Sequence, residues 1–145
     1  MSTLIRGLTV DASLPALELP TIERTTLARF ADASGDRNPV HTDPEAARAA
    51  GHDDVFAHGM LLMAYLGRAL ASWVPQAAIR SFGARFIAVT PIHARPTCSG
   101  TVTAVGAVDG EQLARLDLTV TLADGTVAVR GYATVAVSEP FDVSR

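Results

Sequence analysis

Between Gly59 and Trp73 the chain reads Gly-Met-Leu-Leu-Met-Ala-Tyr-Leu-Gly-Arg-Ala-Leu-Ala-Ser-Trp, apolar on nearly every side and broken by one charge, Arg68. A helix of this composition has no broad polar face to give to water, so other elements must enclose it. The apolar run from Met60 to Val74 is too short to span a bilayer, and a buried helix is the consistent reading. After Pro75 the pattern changes to period two, with strands expected near 79–89, 98–108, 112–122 and 126–137. Asp109-Gly110 and Asp124-Gly125 stand in the gaps as tight hairpin signals. In the third of these segments Leu116, Leu118, Val120 and Leu122 fall on one face, with Arg115, Asp117, Thr119 and Thr121 on the other; Val127, Val129, Gly131, Ala133, Val135 and Val137 repeat the alternation. The expected architecture is α+β, an antiparallel meander wrapped around one long helix at about 59–73.

Upstream, residues 14–22 predict a short extended segment that Pro15 and Pro20 confine to a sheet edge. Thr21 or Thr25 can cap a helix that carries Leu27, Ala28 and Phe30 and stops near Gly35. A second, shorter helix is expected with Asp43 as its N-cap, Pro44 at the first helical position and Gly51 past its end. Residues 52–57 form a loop. With no repeat, linker or low-complexity tract, residues 1–145 are expected to form one domain, with 138–145 as a frayed tail.

Composition narrows the partners. A net charge of −3 comes from 12 basic and 15 acidic residues without any basic run, which argues against nucleic acid or an anionic membrane. Every basic residue is arginine, so a lysine Schiff base is excluded. One cysteine, Cys98, excludes an internal disulfide and a thiolate metal cluster. The opening residues lack an apolar run of signal-peptide length, so a cytoplasmic protein is expected. Apolar residues make up 48% of the chain and charged ones only 19%, a surface suited to a subunit interface.

The segment Phe30-Ala-Asp-Ala-Ser-Gly-Asp-Arg-Asn-Pro-Val-His-Thr-Asp43 concentrates chemistry. It places Asp36, Asn38 and His41 in six residues, just after a helix-breaking glycine and on both sides of a rigid proline. Such an irregular segment can aim a carboxylate and an imidazole at one point, the arrangement that activation of a water molecule requires. Asp36 and His41 are therefore the candidate general acid/base pair. Ala57-His-Gly-Met-Leu-Leu62 is the second element, since the N–H groups that open a helix lack intrahelical partners and carry partial positive charge. At Gly59 no side chain keeps a carbonyl oxygen from that N–H.

These two motifs resemble those of the MaoC-like (R)-specific enoyl-CoA hydratase and (3R)-hydroxyacyl thioester dehydratase family. The likeness is greatest to the small actinobacterial members, including the catalytic subunit of two-subunit dehydratases. The resemblance implies a hotdog fold and reversible hydration of trans-2-enoyl thioesters to (3R)-3-hydroxyacyl thioesters. It implies Asp36 and His41 as the dyad, the Gly59 N–H as oxyanion donor and Asn38 in the active-site hydrogen bonding; His58 is read either as a pocket-lining residue or as a structural hydrogen-bonder at the helix start, and Met60 as a pocket-lining candidate. CoA or acyl carrier protein would enter only as part of the substrate, with no further cofactor. No metal is expected, because His52, Asp53, Asp54 and His58 have no metal-ligand spacing. Arg85, in the segment 81–89, could meet a phosphate of the acyl carrier; Cys98 and His93 have no assigned chemistry. Thr90-Pro-Ile-His-Ala-Arg-Pro96 departs from the family, many of whose members have Pro-Gly-Asp there. Edge-to-edge pairing into a homodimer is expected, with a heterodimer containing a dyad-less hotdog subunit as the alternative. A non-catalytic acyl-binding or partner subunit and a hotdog acyl-CoA thioesterase are the competing readings.

Overall fold

The computed structural model describes residues 8–137; the tail expected at 138–145 lies outside them. The described elements are β1 (Leu17–Glu18), α1 (Arg24–Ser34), α2 (Pro44–Ala49), α3 (Gly59–Trp73), β2 (Ile79–Phe86), β3 (Pro96–Val108), β4 (Glu111–Leu122) and β5 (Val127–Ala136), with 3-10 turns at Pro39–His41 and Gln76–Ala78. The five strands form one antiparallel sheet in the order β1-β3-β4-β5-β2. This is the α+β arrangement expected from the sequence, and both β1 and β2 are edges.

Both hairpins close where the sequence placed them. Asp109 and Gly110 both adopt positive φ, 52° and 81°, as a tight turn matched to strand twist requires. In the β4–β5 turn only Gly125 does so, at 89°, while Asp124 accepts the Thr126 N–H at 2.9 Å. The predicted alternation is also present: Leu116, Leu118, Val120, Ala133 and Val135 are buried against α3, whereas Arg115, Asp117 and Tyr132 are exposed on the other face.

The helix α3 docks through Leu61, Leu62, Leu66, Ala69, Leu70 and Trp73, all buried. Trp73 fixes its far end, with Nε1 donating to the Pro15 carbonyl at 2.7 Å. Gly100 on β3 leaves room for that indole; a Cβ there would lie 2.9 Å from two of its ring carbons. Enclosure is incomplete, however. Met60, Ala64 and Ala71 are exposed and Gly67 is only half-buried, which leaves a stripe along α3 open among the described residues. A single sheet layer covers one side of a helix and the N-terminal segments cover a second, so an all-apolar helix retains a third side.

The first helix differs in one detail from the sequence reading. Glu23, not Thr21 or Thr25, caps α1, in a reciprocal arrangement with Thr26 that satisfies the end N–H groups from both sides. Its C-terminus is as expected, with Gly35 at φ 79°.

Gly100→Ala should overpack the core at Trp73 and destabilise the fold by about 1–3 kcal/mol. Thermal or urea unfolding of the variant checks this; an unchanged midpoint would show that the indole has room to move.

Candidate active site

The site forms where the end of α1, the Pro39–His41 turn and the start of α3 meet. Gly35 ends α1 by turning into the left-handed region, and a chain of short-range bonds then shapes the loop. The Asp36 N–H donates to Ser34 Oγ at 3.1 Å, the Asn38 N–H to Asp36 Oδ1 at 3.2 Å, and the Val40 N–H to Asn38 Oδ1 at 3.2 Å. Asn38 thus caps the turn that carries His41, and its carboxamide oxygen is committed to the main chain.

His41 and Asp36 face each other, with Nε2 and Oδ2 4.0 Å apart. The imidazole side chain is 9% exposed and the carboxylate 51%. Nδ1 of His41 lies 2.7 Å from the Phe56 carbonyl, which can only accept, so Nδ1 carries the hydrogen. In the neutral ring Nε2 is then an acceptor directed to the Asp36 side. Two acceptors at 4.0 Å are too far apart to bond to each other and are complementary to a small molecule with two donors.

His58, the residue before α3, is 1% exposed and stacks on His41, with ring centroids 3.9 Å apart and planes 26° apart. Phe30 meets it edge-on at 4.8 Å. Nε2 of His58 donates to the Asp36 carbonyl at 3.0 Å, which ties the start of α3 to the dyad loop. Its Nδ1 is buried without a hydrogen-bond partner among the described residues. Burial, above all, lowers the His58 pKa; the nearby His41 ring acts in the same direction and the Asp36 carbonyl opposes both.

Gly59 opens α3, and the Phe86 ring lies against it so closely that an added Cβ would sit 3.2 Å from two ring carbons. Two grooves flank this point. One, about 490 Å³, runs from Asp36 along Met60, Met63, Ala64 and Gly67 between Phe30 and Phe82. The other, about 230 Å³, holds Gly59, Phe56, Phe86, Ile87 and Thr90. The sequence-predicted residues Asp36, His41, His58, Gly59 and Met60 therefore converge on one end of α3, while Asn38 shapes the loop from outside. The Phe56 carbonyl and the Phe86 ring were missed. A main-chain acceptor has no sequence signature, and Phe86 arrives only through the pairing of β2 with β5.

His52, Asp53 and Asp54, set aside as metal ligands in the sequence, form no ligand cluster with His58 among the described residues. Asp54 is held in a two-pronged ion pair by Arg24 at 2.8 and 3.1 Å, which lowers its pKa, and His52 rests on Phe56. The ligand atoms of Asp36, His41 and His58 do fall within 4.8 Å of one another, although one nitrogen of each ring is committed to a carbonyl. Cys98 is buried, its thiol pushed up to about 12 by burial, and is no nucleophile. Among the described residues no helix is long and apolar enough to cross a membrane.

A family match accompanies this geometry. The family described as MaoC like domain matches residues 9–124. The chain belongs to the MaoC-like family. The (R)-specific enoyl-CoA hydratase of Rhodospirillum rubrum is 29% identical over 117 residues, 81% of each chain. A UPF0336 protein of Streptomyces avermitilis is 48% identical, but over 48 residues that span only 33% of this chain and 32% of that one. Among solved structures, a chain of the ChsH1-ChsH2 complex from Mycobacterium tuberculosis superposes with a TM-score of 0.77 at 26% identity, over 89% of this chain and 98% of that chain. The MaoC-like fold of these relatives is the hotdog fold, with α3 as its central helix.

The burial of His58 has a consequence for stability. Because the folded protein lowers its pKa, the unfolded chain binds more protons at mildly acid pH, and stability falls as pH drops through about 6.5. Above that pH the contribution is fully present. Melting temperatures of the native protein and His58→Gln, followed from about pH 8 to about pH 5, should show the shallower acid-side loss in the variant. Equal slopes would assign the loss to other groups.

Proposed function

We propose that the chain is a hydro-lyase that reversibly hydrates trans-2-enoyl thioesters to (3R)-3-hydroxyacyl thioesters. The observation that carries this reading is the pair of acceptors, Asp36 Oδ2 and His41 Nε2, 4.0 Å apart. A water oxygen about 2.8 Å from each would donate one hydrogen to each. As that oxygen attacks C3, the dyad takes a proton from the water and returns it to C2, so the addition balances without another acid. The hydroxyl and the hydrogen added to the substrate both come from the same water. The negative charge that develops on the thioester oxygen is met by the Gly59 N–H at the positive end of α3, a contribution of about 3 kcal/mol for such a donor.

The grooves supply a place for each part of the substrate. The groove along Met60, Met63, Ala64 and Gly67 is apolar and begins at Asp36, which suits an acyl chain. The groove beside Gly59 and Phe86 suits the thiol arm. On this reading His58 is a positioning residue: it fixes the Asp36 main chain and backs the His41 ring. No cofactor is needed beyond CoA or an acyl carrier protein attached to the acyl group.

The open stripe on α3 adjoins the unpaired edge of β2 and the exposed Phe86, Ile87 and Val89. A second copy of this chain, paired along β2, would cover the stripe and the strand edge. The similarity to a chain of the ChsH1-ChsH2 complex makes a different hotdog subunit the alternative occupant.

Purified protein is expected to consume the conjugated absorbance of crotonyl-CoA or of a longer enoyl-CoA. Asp36→Asn and His41→Ala should each reduce turnover by about 10²- to 10⁴-fold while remaining folded. Full turnover in both variants would overturn the assignment, and release of free thiol would favour a thioesterase. Light scattering should give the mass of a dimer; a monomer that gains activity only with a second subunit would replace the homodimer.

A further inference from the structure

The outer face of the sheet carries a charge arrangement that the dyad chemistry does not use. Arg85 on β2 and Arg130 on β5 are directly opposed across the strand pair, with Thr119 of β4 opposite Arg130 on the other side. Residues paired in this way point to the same face, and both guanidinium groups are exposed. Like charges placed directly opposite each other destabilise a sheet. Neither arginine has a carboxylate partner among the described residues. The neighbouring Arg115 differs: it lies over the Tyr132 ring at 5.0 Å and 4.0 Å from Asp117. Together these residues line a depression of about 470 Å³ that holds three arginines and one carboxylate, a local excess of positive charge on a chain whose net charge is −3.

The depression adjoins the groove beside Gly59 through one shared residue, Ile87. At the end of β2 the Ile87 and Ala88 N–H groups both donate to the Ala128 carbonyl, at 2.8 and 3.2 Å, a bulge that bends the strand end. Ile87 consequently lines both this depression and the groove beside Gly59, and Phe86, on the opposite face from Arg85, is the ring that lies against Gly59. A flexible arm leaving a thioester at Gly59 past Phe86 and Ile87 would round the end of β2 and arrive at Arg85.

We propose that Arg85 and Arg130 form a binding site for a phosphate ester carried on the thiol arm of the substrate. Two forked guanidinium groups offer parallel N–H pairs matched to phosphate oxygens, and an anion between them relieves their mutual repulsion. This assignment rests on the hydratase reading for the identity of the arm, which would be either the nucleotide of CoA or the phosphodiester of a carrier-bound pantetheine.

The test compares the native protein with the Arg85→Gln/Arg130→Gln double variant on four crotonyl thioesters: CoA, 3′-dephospho-CoA, unphosphorylated pantetheine and loaded acyl carrier protein. The variant should raise KM for phosphate-bearing substrates by about tenfold or more, leave kcat within about twofold, and leave the pantetheine substrate unaffected. A KM effect that disappears with 3′-dephospho-CoA assigns the site to the nucleotide phosphate; one that persists with the carrier protein assigns it to the phosphodiester. An unchanged KM throughout, or an equal rise for the pantetheine substrate, overturns the proposal while leaving hydration intact. Should the native protein hydrate none of the four, the hydratase reading fails, and calorimetry with adenosine 3′,5′-bisphosphate decides the site itself. Binding of it or of 4′-phosphopantetheine that the double variant loses supports a phosphate site, and absence of binding of both to the native protein overturns it. Removal of the opposed charges should not lower the melting temperature, which separates lost binding from lost structure.

Discussion

Everything in this fold depends on covering one helix. A 15-residue segment that is almost wholly apolar cannot stand in water, and burial of its leucines and Trp73 against the sheet supplies the main hydrophobic gain of the described chain. That docking also fixes where the helix begins. Because α3 is held along its length, its first N–H groups and His58 take a defined position, and the loop from α1 can be organised against them. The site is in this sense a by-product of core packing, located at the one end of the central helix where main-chain donors have no internal acceptors.

The elements were legible in the sequence to the degree that periodicity and turn chemistry specify them. The change from an all-apolar run to strict alternation placed α3 and the four long strands, and Asp-Gly pairs placed both hairpins. The cap of α1 was less legible, since Thr21, Glu23, Thr25 and Thr26 all offer side-chain acceptors within one turn and only geometry selects Glu23. The sequence also predicted that the sheet would wrap around α3, whereas a single sheet layer reaches only one side of it. The stripe from Met60 to Ala71 is apolar like the rest of the helix, yet no element among the described residues covers it.

For the site, the short loop from Gly35 to His41 was readable because its order of glycine, carboxylate, amide, proline and imidazole is rare outside a designed turn. The role of Asn38 in the loop was not readable from its type, because an amide can serve the main chain or a ligand equally well. Nor was the stacking of His58 on His41, since the two residues are brought together by α3 docking rather than by sequence spacing. The facing of Arg85 and Arg130 likewise exists only through strand register, which alternation constrains to a face but not to a partner.

The bond from His41 to the Phe56 carbonyl has a consequence for how this site tolerates change. A proton position set by a side chain can be lost by a single substitution, whereas one set by the peptide backbone survives any residue placed at that position, provided the chain path is kept. The tautomer of His41 therefore depends on the chain path at position 56 and not on the Phe56 ring, which packs edge-on to His41 and against His52. What cannot drift is the path itself, and that is secured nearby by the Ala57 N–H bonded to the Thr90 carbonyl, by the pairing of Phe56 with Pro91 and by Arg24 on Asp54. One residue thus serves the site twice, its ring packing edge-on to His41 and its carbonyl setting where the hydrogen on that imidazole sits.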